Sequence, residues 1–242
     1  MIKLSGVSKK FMIPTNKNSS LFLNFRAHVN RQANHTTIRA LDDVTLEIDK
    51  GQTIGVIGAN GSGKSTLLRI IAGIYLPTSG VVRTEAEVTP FVGLGAGLVP
   101  YLSVRDNIVF LGVVLGLKKA VIYRLLPEIV DFAGLSDYVG AEARILSLGM
   151  RSRLAFSIMM QAFKDIVLFD EMFWVGDEDF VDKCLRVVEG LKKEARTILL
   201  ASHDMGFIEK FCDKTLLLDR GSVLAFGKSA DVVARYKAMR RQ

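Results

Sequence analysis

Four short segments carry side chains suited to handling a phosphate chain: Gly58 to Thr66 (G-A-N-G-S-G-K-S-T), Leu146 to Arg151 (L-S-L-G-M-R), Val167 to Glu171 (V-L-F-D-E) and Ser202 to Asp204 (S-H-D). The first fits the pattern G-x-x-x-x-G-K-[ST] from Gly58 to Ser65. It follows the apolar run Ile54, Val56, Ile57, the strand-then-helix context that a P-loop requires. Gly58, Asn60, Gly61, Ser62 and Gly63 make the turn, and Gly61 and Gly63 let backbone N–H groups point inward around a β-phosphate. The helix that opens near Lys64 and carries Thr66 adds the positive end of its dipole. Lys64 reaches the β- and γ-phosphates and Ser65 offers a hydroxyl to Mg²⁺. Asp170, after Ile166 to Phe169, holds the same ion through water.

Taken singly, the other segments have ordinary readings. An Asp-Glu pair ending a strand is commonly a solvated loop, a histidine after a strand a surface residue, and Ser147 before the helix containing Leu154, Phe156 and Ile158 a plain N-cap. Their fixed order behind a P-loop favours the functional reading.

The elements that must position these residues follow from punctuation. Residues 1–90 supply an antiparallel β part, opening on the strand at Met1 to Leu4, and the P-loop strand and helix. Residues 91–164 read as a helical subdomain with Pro100, Pro127 and several glycines. An α/β core resumes over 165–226, where strands near Ile166 to Phe169, Thr197 to Ala201, Thr215 to Leu218 and Val223 to Phe226 alternate with helical stretches, as a wound parallel sheet requires. A helical tail fills 227–242. Between Phe11 and Ala40, Leu21, Phe22, Phe25 and Val29 share helical spacing and suggest a short amphipathic helix.

The 242 residues suit one cassette with a full core and leave no room for a second domain. No apolar run approaches the roughly 20 residues needed to cross a bilayer, and the N-terminus does not read as a signal peptide. Cys184 and Cys212 are too few for a disulfide framework and read as reduced thiols. The net charge of +7 suits an anionic membrane face or a solvated surface. Lys9, Lys10 and the run Arg235, Lys237, Arg240, Arg241 have one aromatic neighbour each, Phe11 and Tyr236, rather than the series of interleaved aromatics of a nucleic-acid platform, so no nucleic acid partner is expected.

The ordered set, above all Ser-x-Gly-Met between a P-loop and an Asp-Glu strand end, resembles the ATP-binding subunits of ABC transporters. The stretch Phe91 to Asn107 contains no glutamine where relatives couple the ATP site to a membrane partner. Its G-L-G-A-G-L pattern is similar instead to exporters of lipid-linked polysaccharides, as are Met150 to Phe156, Val175 to Asp177 and Lys183-Cys184. The resemblance implies an α/β P-loop NTPase fold: a mainly parallel sheet, an N-terminal antiparallel β part and a helical subdomain. It makes Glu171 the carboxylate that polarises the attacking water and His203 the sensor of the γ-phosphate. Phe11 becomes the ring that stacks on adenine, with a core or edge-strand phenylalanine as the alternative. Ser147, Gly149 and Met150 cap the ATP held by the opposite subunit of a head-to-tail homodimer. Leu148 stands where relatives have a small residue, and it either crowds the closed site or points away. The resemblance also implies ATP and Mg²⁺ as ligands, a multi-spanning permease as partner, a lipid-linked glycan (O-antigen, capsule or teichoic acid type) as cargo and a peripheral place on the cytoplasmic face of the inner membrane. Leu21 to Val29 would be a gate helix at the membrane or a surface helix packed on its own domain. No glycan-binding domain is expected. The alternatives are an ABC ATPase energising another exported substrate, or a soluble or regulatory one.

Overall fold

The computed structural model describes residues 1–14, 35–91, 97–170 and 178–240. Leu21 to Val29, Glu171 and Val175 to Asp177 lie outside the described residues, as do residues 92–96.

Strands β1 (Ile2–Pro14) and β2 (His35–Ile48) run antiparallel. Their alternation is the cause of their placement: Ile2, Leu4, Val44, Leu46 and Ile48 are buried while Lys3, Ser5, Thr45 and Glu47 between them are exposed, the period-two pattern of a sheet with one wet face. Next come β3 (Thr53–Ile57) and helix α1 (Lys64–Ile71), which lead to β4 (Ser79–Thr84) and β5 (Val88–Phe91). β4 joins the first sheet in the order β2-β1-β4.

The helices α2 (Val104–Val114), α3 (Lys119–Ala133) and α4 (Leu148–Met159) enclose a core of their own built from Val104, Ile108, Ile122, Ile129, Leu154 and Ile158. The rest of the chain alternates: β6 (Ile166–Phe169), α5 (Glu178–Lys193), β7 (Thr197–Ala201), α6 (Met205–Phe211), β8 (Lys214–Asp219), β9 (Ser222–Lys228) and α7 (Ser229–Met239). The second sheet has the order β5-β6-β7-β3-β8-β9. Every residue of β3, β6 and β7 is buried, as expected for central parallel strands covered on both faces.

One strand departs from the sequence expectation. The stretch Val223 to Phe226 belongs to β9, which pairs antiparallel with β8 rather than continuing the parallel winding. Arg220 and Gly221 alone separate the two strands, and both have positive φ, 46° and 85°. A parallel crossover needs about a dozen residues, so this connection can only be a hairpin.

Phenylalanines tie the helical unit to the central sheet. Phe156 on α4 meets Phe91 on β5 edge-on at 5.5 Å, and Phe163 meets Phe169 on β6 at 5.8 Å. Such pairs contribute about 0.5–1.5 kcal/mol each beyond the area they bury. They fix the C-terminal part of α4 and the segment after it relative to β5 and to β6, the strand that Asp170 follows.

Candidate functional site

β6, β7 and β3 are adjacent and parallel, so the residues that follow each strand emerge along one edge of the sheet. Asp170 follows β6, Ser202 and His203 follow β7, and Gly58 follows β3. Segments far apart in the chain meet there because the spatial order of strands is not their chain order. The carboxyl edge of a parallel sheet is where such folds bind ligands.

The loop from Gly58 to Gly63 owes its shape to glycine. Gly63 has φ +108°, and a Cβ there would lie 2.6 Å from the Ala40 carbonyl oxygen, so neither the backbone angle nor the space admits a side chain. Gly61 has φ +76° with open space around it, so its requirement is conformational alone. The hairpin turn of β8 and β9 holds the loop from behind: the Gly221 amide donates to the Ser62 carbonyl at 2.9 Å, and the Asp42 amide to the Gly221 carbonyl at 2.9 Å.

Lys64 is only 4% exposed, and its Nζ donates to the carbonyls of Gly58 at 2.9 Å and Ala59 at 3.1 Å. The ammonium therefore sits inside the curve of the loop. Ser65 Oγ donates to Asp170 Oδ1 at 2.9 Å, joining the first turn of α1 to the end of β6. A hydroxyl and a carboxylate converging in this way are the hard oxygen donors that Mg²⁺ selects.

Beside the loop lies a cavity of about 480 Å³, within the range of small-molecule sites. Phe11, Ile38, Arg39 and Ala40 form one wall; Asn60, Gly61 and the run Gly63 to Thr66 form the other. Phe11 thus shares a cavity with the P-loop. Its ring meets Tyr75 edge-on at 5.5 Å, and Lys9 Nζ lies 5.1 Å from its centre while donating to the Leu76 carbonyl at 2.8 Å. Lys9, read from the sequence as part of the surface charge, belongs to this aromatic cluster. Tyr75, Arg39 and Lys9 were not singled out in the sequence as nucleotide-site residues, because the β1–β2 register that opposes Phe11 to Ile38 has no local signature.

Ser147, Gly149 and Met150 do not line this cavity. Ser147 is the N-cap of α4, its Oγ accepting from the Met150 amide at 3.2 Å. Leu148 is 63% exposed, as is Ile145, so the Leu148 side chain points out of its own domain. His203 is exposed between two anchors: the Asp204 amide donates to Ser202 Oγ at 3.1 Å, and Asp204 Oδ1 caps α6 by accepting from the Phe207 amide at 3.0 Å.

Asn107, in the stretch without glutamine, is fully buried. Its Nδ2 faces the carbonyls of Val99, Leu102 and Ser103 at 3.0 Å, and its Oδ1 accepts from the Val99 amide at 2.7 Å. Asn107 is a clamp that shapes the loop before α2. Cys184 and Cys212 are free and buried, and burial pushes each thiol up to about 12.

Residues 41–173 match the ABC transporter family. The chain belongs to that family. It is 36% identical over 236 residues, covering 98% of this chain and 75% of the relative, to the ABC transporter protein AbcA of Aeromonas salmonicida. It is 40% identical over 200 residues to the O-antigen export system ATP-binding protein RfbB of Myxococcus xanthus, covering 83% of this chain and 46% of that one. The teichoic acids export ATP-binding protein TagH of Bacillus cereus is 33% identical over 100% of this chain, which spans 43% of it. The chain therefore spans less than half of the latter two. Among solved structures, a dimeric ATP-binding cassette in a post-hydrolysis state with ADP and Pi superposes with a TM-score of 0.74 at 21% identity, covering 95% of this chain and 99% of that one. The shared fold is the ABC ATPase cassette, an α/β P-loop fold.

Proposed function

We propose that this chain binds and hydrolyses ATP as the nucleotide-binding subunit of an ABC exporter for lipid-linked polysaccharide of the O-antigen, capsule or teichoic acid type. The observation that carries the ATP site is the Ser65–Asp170 hydrogen bond of 2.9 Å at the foot of a cavity shared by Phe11 and the P-loop. The cargo class rests on the names of the O-antigen and teichoic acid relatives.

The base stacks on Phe11, and the phosphates lie along the backbone of Gly58 to Gly63, where Lys64 neutralises the β- and γ-oxygens. Ser65 and Asp170 hold Mg²⁺, which supplies charge neutralisation during phosphoryl transfer. Glu171 polarises the attacking water and His203 senses the γ-phosphate. Two copies meet head to tail, and Ser147, Gly149 and Met150 of one cap the ATP held by the other. Exposure of Leu148 and of the α4 N-terminus suits this role, since a residue acting across an interface is left uncovered in its own subunit. Closure of the dimer moves a separate membrane permease, and hydrolysis resets it. The subunit acts peripherally, at the cytoplasmic face of that permease; no helix among the described residues is long and apolar enough to cross a membrane.

The test is Glu171→Gln. General-base assistance contributes roughly 10²- to 10⁴-fold, so the variant binds ATP normally, turns over at least a hundredfold more slowly and accumulates as an ATP-bound dimer. Turnover near that of the unaltered protein overturns the assignment. For the cargo, cells lacking the chain accumulate lipid-linked glycan inside, and restoring the chain but not its Lys64→Ala variant relieves it; relief by both removes the export reading.

A further inference from the structure

Arg39 lies in the wall of the nucleotide cavity but belongs to none of the four phosphate-handling segments. Along β2 the chain runs from Ile38, which pairs with Phe11, through Arg39 to Ala40, whose carbonyl oxygen is the atom that Gly63 approaches too closely to bear a side chain. Arg39 thus falls between the aromatic end of the cavity and its phosphate end. Its backbone position is fixed relative to the P-loop, because the Gly221 turn bonds to both Asp42 and Ser62 at 2.9 Å.

The side chain is tied down less than the backbone. It is 52% exposed, and its Nη1 is held by Asp42 Oδ2 at 2.7 Å. A surface pair of this kind contributes little stability, because water already solvates both ions. A guanidinium beside a cavity for a polyanion has a stronger alternative partner, since it presents several donors in a fork that matches phosphate oxygens.

Resting on the ATP-site reading above, we infer that Arg39 is a nucleotide-contacting residue, which exchanges Asp42 for the ribose-proximal α-phosphate when ATP or ADP enters. Asp42 is the competitor that holds Arg39 beside the cavity mouth. Because the α-phosphate is common to both nucleotides, Arg39 sets affinity without distinguishing ATP from ADP. Lys64, which reaches the β- and γ-phosphates, keeps only the first of these partners in ADP.

The experiment measures dissociation constants for ATP and ADP by calorimetry at low and high salt, for the unaltered chain, Arg39→Ala, Arg39→Lys, Asp42→Asn and Lys64→Ala, with thermal melting of each. A charge-assisted contact at a half-exposed site gives a loss of about 3- to 10-fold. Arg39→Ala should weaken ATP and ADP by the same factor in that range, more at low salt. Arg39→Lys should recover part of the loss. Asp42→Asn should leave affinity unchanged or tighten it, since the competing carboxylate is gone. Equal affinity in Arg39→Ala and the unaltered chain overturns the inference. So does parallel weakening in Arg39→Ala and Asp42→Asn with matched falls in melting temperature, which makes the pair structural only. If the unaltered chain binds no ATP, the nucleotide reading falls, and Arg39 with it; in the other outcomes only the role of Arg39 is at stake.

Discussion

Replacing Gly63 by alanine tests whether the P-loop is shaped by close packing as well as by backbone angle. The new Cβ lies 2.6 Å from the Ala40 carbonyl oxygen and 2.8 Å from Leu41 Cδ2. Leu41 is fully buried and does not give way cheaply, while Ala40 sits at an irregularity of the β1–β2 register, between Arg39 paired with Lys10 and Leu41 paired with Lys9. Gly61→Ala is the control: φ is positive there too, at +76°, but nothing lies within 4 Å of the new carbon. A non-glycine residue forced into this region costs about 1–3 kcal/mol, and overpacking adds about 1–3 kcal/mol where contacts are short. Gly61→Ala should therefore lose only the first amount, and Gly63→Ala roughly twice that, a large share of the 5–15 kcal/mol typical of a folded domain. Urea unfolding followed by circular dichroism without nucleotide gives the comparison, read from the midpoints at constant slope. If Gly63→Ala is no less stable than Gly61→Ala, the contact with Ala40 does not constrain the loop.

Asn107→Leu should cost about 1–3 kcal/mol by orphaning the partly buried Val99 amide and nearby carbonyls, and amide exchange at Val99 should accelerate; unchanged exchange would mean that the clamp is not needed. Leu148→Ser should leave the stability of the isolated chain within about 0.5 kcal/mol, as for other exposed positions, while changing ATP-dependent dimerisation. A clear fall in monomer melting temperature would place Leu148 in the core instead. Cys184 and Cys212 should resist alkylation in the native chain and react on unfolding, since burial holds both thiols neutral with pKa values near 12. The same shift has a definite sign for stability. The unfolded chain releases these protons first as pH passes the ordinary value of 9.0, so this contribution is complete below pH 9 and declines between pH 9 and 12. Stability rising over that window would contradict it.

Sequence alone determined what depends on neighbours in the chain. The P-loop was legible because glycine spacing, a preceding apolar strand and a Lys-Ser helix start are local requirements, and α1 begins at Lys64 as that spacing demands. The Ser147 cap was legible for the same reason, since an N-cap bonds an amide three residues on. The hairpin of β8 and β9 was written in the two-residue connection Arg220-Gly221, although alternating strands and helices upstream suggested otherwise. What tertiary structure decided is proximity between distant segments. Asp170 reaches Ser65, and the end of β7 beside them carries His203, only because β7 lies between β6 and β3, an order that no run of residues encodes. Asn107, quoted from a loop motif, became a buried clamp because its four partners are backbone groups whose positions depend on how the loop folds. Arg39 and Lys9 entered the cavity wall and its aromatic cluster through the register of β1 on β2. Register is set by which faces of the whole sheet become buried, a collective property of the packed core.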